Sequence, residues 1–253
     1  MTAQPHVMTS PAYTEEDHQT WAALYKRQIA LVKDCACRLF HEGLPRLQLN
    51  PQRLPDAHEY SERLRELTGW TLGDAQNEYL GPTEWFEHIT EYRFPVTNYI
   101  RRPHELDFTP LPDLFHEYFG HLAFFTDQHF GDTAQMFGPL YLSARNERQQ
   151  LEIARLWWFS IEFGLIHEDG TLKIYGAGLL SSPGELGFAL QPDTPRYPFD
   201  IRRVAETPSA AYSYHKGYFI LDDYDHPRRI VQDYARMEGL PIPQPRNSLK
   251  IRR

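Results

Sequence analysis

At 253 residues with 41% hydrophobic content, the chain is long enough to bury a substantial core, and one compact domain is the expectation. A net charge of -8 without any Lys/Arg-rich run excludes the clustered cations that nucleic acid or an anionic membrane surface requires. No apolar run approaches a membrane span, and the opening "MTAQPHVMTSPAYTEEDHQTW" lacks the regions of a signal peptide, so a soluble cytoplasmic protein is expected.

Residues 1–12, with Pro5 and Pro11, read as a loose tail. From Thr14, "TEEDHQTWAALYKRQIALVKDCACRLFHEG" spaces Trp21, Leu24, Tyr25, Ile29, Val32, Leu39 and Phe40 at three- and four-residue intervals, with acids in the first turn. That spacing predicts one long amphipathic helix stopped by Gly43. It contains the only cysteines, Cys35 and Cys37, too close and too few for a disulfide scaffold, and they read as buried or inert thiols. "PDAHEYSERLRELTG" and "PTEWFEHITEY" follow as helices opened by proline.

The stretch "PDLFHEYFGH" then sets His116 and His121 five positions apart. With 12 histidines in the chain, one pair at a given spacing arises by chance roughly half the time, so the pair alone is a weak signal. On an ideal α-helix five residues leave the side chains about 140° apart, so both reach one ion only if the helix ends between them, and Gly120 is placed to end it. The spacing also departs from the zinc-peptidase patterns H-E-x-x-H and H-x-x-E-H, which argues against a zinc hydrolase.

"DTAQMFGPLYLSAR" and "ERQQLEIARLWWFSIEFGLI" read as further helices, the second deeply buried. Its single interior carboxylate, Glu162, costs several kcal/mol if unpaired. A salt bridge to a core arginine is one solution. The other is a metal, because two imidazoles and one carboxylate form the facial triad of non-haem Fe(II) oxygenases. "KIYGAGLL" and "AYSYHKGYFIL" have strand-like content, "HPRRIVQDYARME" reads as the last helix, and 240–253 as an extended tail. The fold class is mainly α with a small β part, in a single domain over 13–239.

Together, "PDLFHEYFGH", "WWFSIEFGL" and "YGAGLLSSPGEL", in this order and spacing, resemble the pterin-dependent aromatic amino acid hydroxylases, most closely the bacterial phenylalanine hydroxylases. The resemblance implies a lone, monomeric catalytic domain that uses O2, non-haem Fe(II) and a tetrahydropterin, tetrahydrobiopterin or a related bacterial pterin, to hydroxylate phenylalanine to tyrosine. Position by position, it implies iron ligands at His116, His121 and Glu162. Arg101 in "NYIRR" matches the residue that holds the amino-acid carboxylate, a role suited to a bidentate guanidinium. Asp113 matches the acid that orients this arginine, although it could equally be a helix cap. Thr109 and Ser181 match hydroxyls beside the substrate, while Trp158 and Pro110 match walls around its ring.

For the pterin, the resemblance implies Glu117, Trp85 as a stacking aromatic, Tyr79 and Leu80 in the surrounding loop, and Trp157 nearby. Glu185 matches an outer acid of the iron site. Three departures stand out. The loop "GWTLGDAQNEYLGPTEW" lacks the usual Arg and Val-Pro, Trp157 replaces a Tyr, and His215-Lys216 replace a Gln-Pro near the substrate pocket. Tryptophan 5-hydroxylation and meta-hydroxylation of phenylalanine remain alternatives within the chemistry, because pocket shape sets ring and position. A binding protein that has lost turnover is the alternative of another class, motivated by the altered loop and Trp157.

Overall fold

The computed structural model describes residues 10–75, 80–107, 109, 111–210 and 213–245. Helix accounts for 55% of the described residues and strand for 11%, which bears out the mainly α class with a small β part. No helix among the described residues is long and apolar enough to cross a membrane.

The first helix is shorter than its periodicity predicts. α1 spans Glu15–Val32, opened by a capping box between Thr14 and Asp17. The chain then leaves the helix for five residues before α2, Arg38–Leu47. The physical reason is tertiary: the Cys35 carbonyl accepts from Ile174 N (2.7 Å) and Cys37 N donates to the Ile174 carbonyl (2.9 Å), so these backbone groups serve a distant segment instead of a helix. Gly43 lies inside α2 instead of stopping it.

α3, Ala57–Thr68, and α4, Pro82–Thr90, flank a small parallel pair, β1, Thr71–Asp74, and β2, Arg93–Val96. After β2 the chain reaches a π turn over His116–His121. α5, Gln128–Leu142, and α6, Glu147–Trp157, come next, and α6 widens at its end into a second π turn, Trp158–Glu162.

A four-stranded sheet in the order β4-β3-β6-β5 packs behind the second turn. It comprises β3, Leu165–Glu168; β4, Thr171–Ile174; β5, Arg196–Pro198; and β6, Tyr218–Leu221. Its β3–β4 pairing is antiparallel and its β3–β6 and β5–β6 pairings are parallel. "KIYGAGLL", expected as a strand, is strand only through Ile174 and then helix α7, Ala177–Ser181. α8, Pro183–Ala189, α9, Ile201–Glu206, and α10, His226–Glu238, complete the fold, with β6 occupying only the last four residues of the expected second strand.

The core fixes the first π turn from behind. Phe115 and Phe119 stack at 4.8 Å, Trp21 of α1 meets Phe115 edge-on at 5.5 Å, and Phe40 of α2 meets Phe119 at 5.5 Å. Each such pair contributes about 0.5–1.5 kcal/mol beyond its burial. With these rings committed to the core, the two histidines are left to the opposite side.

A candidate metal centre

His116 and His121 share a face because the turn between them is widened, not because a helix ends. In a π turn the hydrogen bonds run from residue i to i+5, as between the Glu117 carbonyl and Leu122 N (3.2 Å), so residues five apart stack above one another. Gly120 has a different task from the expected one: a Cβ there would sit 2.7 Å from the Ala177 carbonyl oxygen, so only glycine lets α7 approach the turn. The second π turn makes the same i to i+5 bond, from Phe163 N to the Trp158 carbonyl (2.9 Å), and delivers Glu162.

The three side chains meet in the interior. His121 Nε2 lies 3.0 Å from Glu162 Oε2 and 3.2 Å from His116 Nε2, and one ligand atom from each residue falls within 4.8 Å of the others. Burial, with His121 beside it, lowers His116 to about 4, so its imidazole is neutral at pH 7. Burial alone would raise Glu162, but the facing histidines and the Trp157 indole N–H bring it down to about 2.

The proton positions also fit a cation. Ser181 Oγ donates to the Ala177 carbonyl (2.9 Å), so at 2.8 Å it accepts the Nδ1–H of His116. That leaves His116 Nε2 as a bare lone pair pointing at the cluster. Glu162 Oε1 is occupied separately by the Trp157 N–H (2.9 Å), so Oε2 faces the histidines. Two imidazoles and a carboxylate oxygen, brought together with no salt bridge to a core arginine among the described residues, are the donor set of a divalent transition metal with open positions.

A cavity opens beside the triad, lined by Leu80, Trp85, Phe86, Pro95, Trp157 and Trp158 and by the carboxyls of Glu117 and Glu162. Trp85 is half-buried and meets Trp157 edge-on at 4.7 Å, leaving a ring surface on which a flat heterocycle can stack. Burial pushes the Glu117 carboxyl well above the usual carboxylate range even though Thr97 N donates to it at 2.5 Å. Its free oxygen is left as a polar group at the cavity edge.

Arg101 and Asp113 form a buried bidentate pair, Nε to Oδ2 and Nη2 to Oδ1, each at 2.8 Å. Asp113 is both of the things its sequence position suggests, because Oδ1 also accepts from His116 N (3.1 Å) at the start of the π turn. Burial would raise its carboxyl, but the Arg101 charge and hydrogen bonds hold it below the usual range.

Other expected residues are placed differently. Ser181, expected beside the substrate, bonds His116, a member of the triad. Glu185, expected next to the iron site, accepts from His215 and Tyr218, and none of these bonds reaches a triad member. The Thr109 hydroxyl donates to the Leu111 carbonyl (3.2 Å). Tyr79 and Pro110 lie outside the described residues. Sequence reasoning gave His215 no role, and its only signal there was the departure from Gln-Pro; its burial and four polar contacts appear only in three dimensions.

Residues 4–243 match the family model described as biopterin-dependent aromatic amino acid hydroxylase. The phenylalanine-4-hydroxylase of Chromobacterium violaceum is 38% identical over 213 residues, covering 84% of this chain and 71% of that protein. The one from Caulobacter vibrioides is 39% identical over 212 residues, covering 83% and 71%. Among solved structures, C. violaceum phenylalanine hydroxylase with bound iron(III) and oxidised 7,8-dihydrobiopterin superposes with a TM-score of 0.84 at 34% identity, over 94% of this chain and 89% of that one. With the match running across nearly the whole chain and the triad in place, the chain belongs to the biopterin-dependent aromatic amino acid hydroxylases.

Proposed function

We propose that this chain is a monooxygenase that hydroxylates the ring of L-phenylalanine to L-tyrosine, with iron held by His116, His121 and Glu162 and a tetrahydropterin as co-reductant. In this reading residues 13–239 form the catalytic unit, acting as a cytoplasmic monomer. The observation that carries it is the convergence of three electron-pair donors, with the Ser181 hydroxyl 2.8 Å from His116 Nδ1 to take its proton, beside an aromatic cavity. The relatives named phenylalanine-4-hydroxylase support the choice of substrate.

Bound iron and reduced pterin supply the activation of O2, for which protein side chains have no chemistry of their own. What the chain contributes is position. His116, His121 and Glu162 would hold the ion with three protein donors and so would leave it able to take further ligands. Trp85 offers its ring to the pterin and Glu117 offers its carboxyl to a polar edge of that heterocycle. Asp113 takes one edge of the Arg101 guanidinium, which leaves the other edge to hold the substrate's carboxylate. Trp158, with Pro110 from the resemblance, walls the ring and excludes water from the reacting atoms, and Thr109, also from the resemblance, sets a hydroxyl beside the substrate.

The test is to load the protein with Fe(II) without air, add tetrahydropterin and air, and identify by mass spectrometry the products from phenylalanine, tryptophan and tyrosine offered together. Para-tyrosine, dependent on both iron and pterin, is expected. Meta-tyrosine or 5-hydroxytryptophan would keep the chemistry and replace the substrate or position. No iron-dependent product would end the reading.

A further inference from the structure

We infer that His215 is a positioning residue that sets the aromatic wall of the substrate pocket by holding the Trp158 indole in one orientation. The inference rests on the proposed function, which makes Trp158 a wall of that pocket.

Trp158 is half-buried at the start of the second π turn and lines the cavity beside Glu162. Its Nε1–H points away from the cavity, donating to His215 Nε2 at 2.7 Å. An indole nitrogen can only donate, so His215 Nε2 must be a lone pair and its proton must sit on Nδ1. That proton has a receiver: Nδ1 lies 2.7 Å from Glu185 Oε1. The same carboxylate oxygen accepts from His215 N (3.1 Å) and from the Tyr218 hydroxyl (2.9 Å). Burial and the Glu185 charge both push the Tyr218 hydroxyl up, so it keeps its proton and acts as donor.

Every hydrogen in this chain therefore has one assignment, running from Trp158 to His215 and from His215 to Glu185. Packing removes the remaining freedom. The His215 ring is 3% exposed, and lies 4.3 Å from the Phe163 ring and 5.4 Å from that of Phe159, while Phe163 lies 4.9 Å from Trp158. The elements joined are far apart in sequence: α8 carries Glu185, the segment before β6 carries His215, and the end of α6 leads to Trp158. A space-filling side chain would need none of these polar partners. A side chain that must fix the plane of an indole at the cavity edge needs all of them.

The experiment combines two readouts on the full-length, Fe(II)-loaded protein without O2. The first is the indole N–H proton resonance of Trp158, one of five tryptophans, assigned by its disappearance in Trp158→Phe. The second is the Kd for phenylalanine by calorimetry. His215→Phe keeps a ring in the core but removes the acceptor. It should move the Trp158 resonance to the position of an unbonded indole and raise the Kd about tenfold, the worth of one lost hydrogen bond. His215→Gln, which can accept from the indole and donate to Glu185, should restore most of both. In a Trp158→Phe background, His215→Phe should add little, because the two residues act through one contact. An unmoved resonance, an unchanged Kd, failure of His215→Gln to restore either, or additive effects in the double variant would each overturn the inference alone. Failure of the unaltered protein to bind phenylalanine would instead overturn the functional reading beneath it.

Discussion

At the metal-facing end of Glu162, one oxygen is already committed: Oε1 takes the Trp157 indole proton, and Trp157 is itself held edge-on by Trp85, by Phe86 at 6.2 Å and by Phe137 at 5.4 Å. In the sequence Trp157 replaces a Tyr, and with it a hydroxyl. The structure shows a donor in its place, anchored too firmly to rotate away from the carboxylate. Trp157→Phe, which keeps an aromatic ring there but removes the N–H, should weaken Fe(II) binding by roughly ten- to a hundredfold, the usual cost of losing an outer partner of a metal ligand. Competition with a calibrated chelator reads this directly, and an unchanged affinity would mean that Glu162 is oriented without the indole. The triad was legible because a carboxylate in an apolar helix demands a partner and because three motifs match a family. The bond from His116 to Ser181 was not, since 65 residues separate the two and only folding brings them together.

The two π turns dominate at the scale of elements. Neither was legible, for a physical reason: a π turn shifts one hydrogen bond by one residue and leaves the three- and four-residue apolar spacing nearly intact, so "PDLFHEYFGH" reads as a helix about to end and "LWWFSIEFGL" as a helix that continues. The break between α1 and α2 was hidden in the same way, since its cause lies at Ile174. The four-residue strands β1 and β2 are too short to show an alternating pattern. α7 couples to the first turn through Gly120 and through Ser181. Gly120→Ala forces a methyl against the Ala177 carbonyl and should destabilise the fold by about 1–3 kcal/mol, the usual cost of overpacking. It should also weaken metal binding, because α7 carries the His116 partner. Denaturant unfolding with a parallel iron titration checks both, and stability lost with affinity kept would separate α7 from the centre.

Across the whole molecule, the three candidate ligands come from two turns, with His121 and Glu162 41 residues apart, so an ion bound there would tie α6 to the segment before α5. Because the unfolded chain cannot assemble this site, saturating metal stabilises the folded state by about 2.7 kcal/mol at a hundredfold excess over Kd. For a domain of this size that is a rise in Tm of roughly 5–10 °C. Calorimetry with Fe(II) under anaerobic conditions should show the rise in the unaltered protein and its loss in Glu162→Ala; equal values for the two proteins would exclude the triad as the binding site. At this scale the sequence served well, since a mainly α fold followed from periodicity alone.

The cavity's walls also belong to separate structural units. Ala75 and Pro95 of its lining come from the β1–β2 region, whereas Trp157 and Glu162 come from the α6 end backed by the four-stranded sheet. A two-stranded pair has little stability of its own and depends on what covers it. Amide hydrogens of β1 and β2 should therefore exchange with solvent through a local opening of lower free energy than the one that exposes β3 and β6. The β1–β2 wall can open while the two π turns keep His116, His121 and Glu162 in register, so a molecule lodged against that wall could leave and be replaced without a bound ion being released.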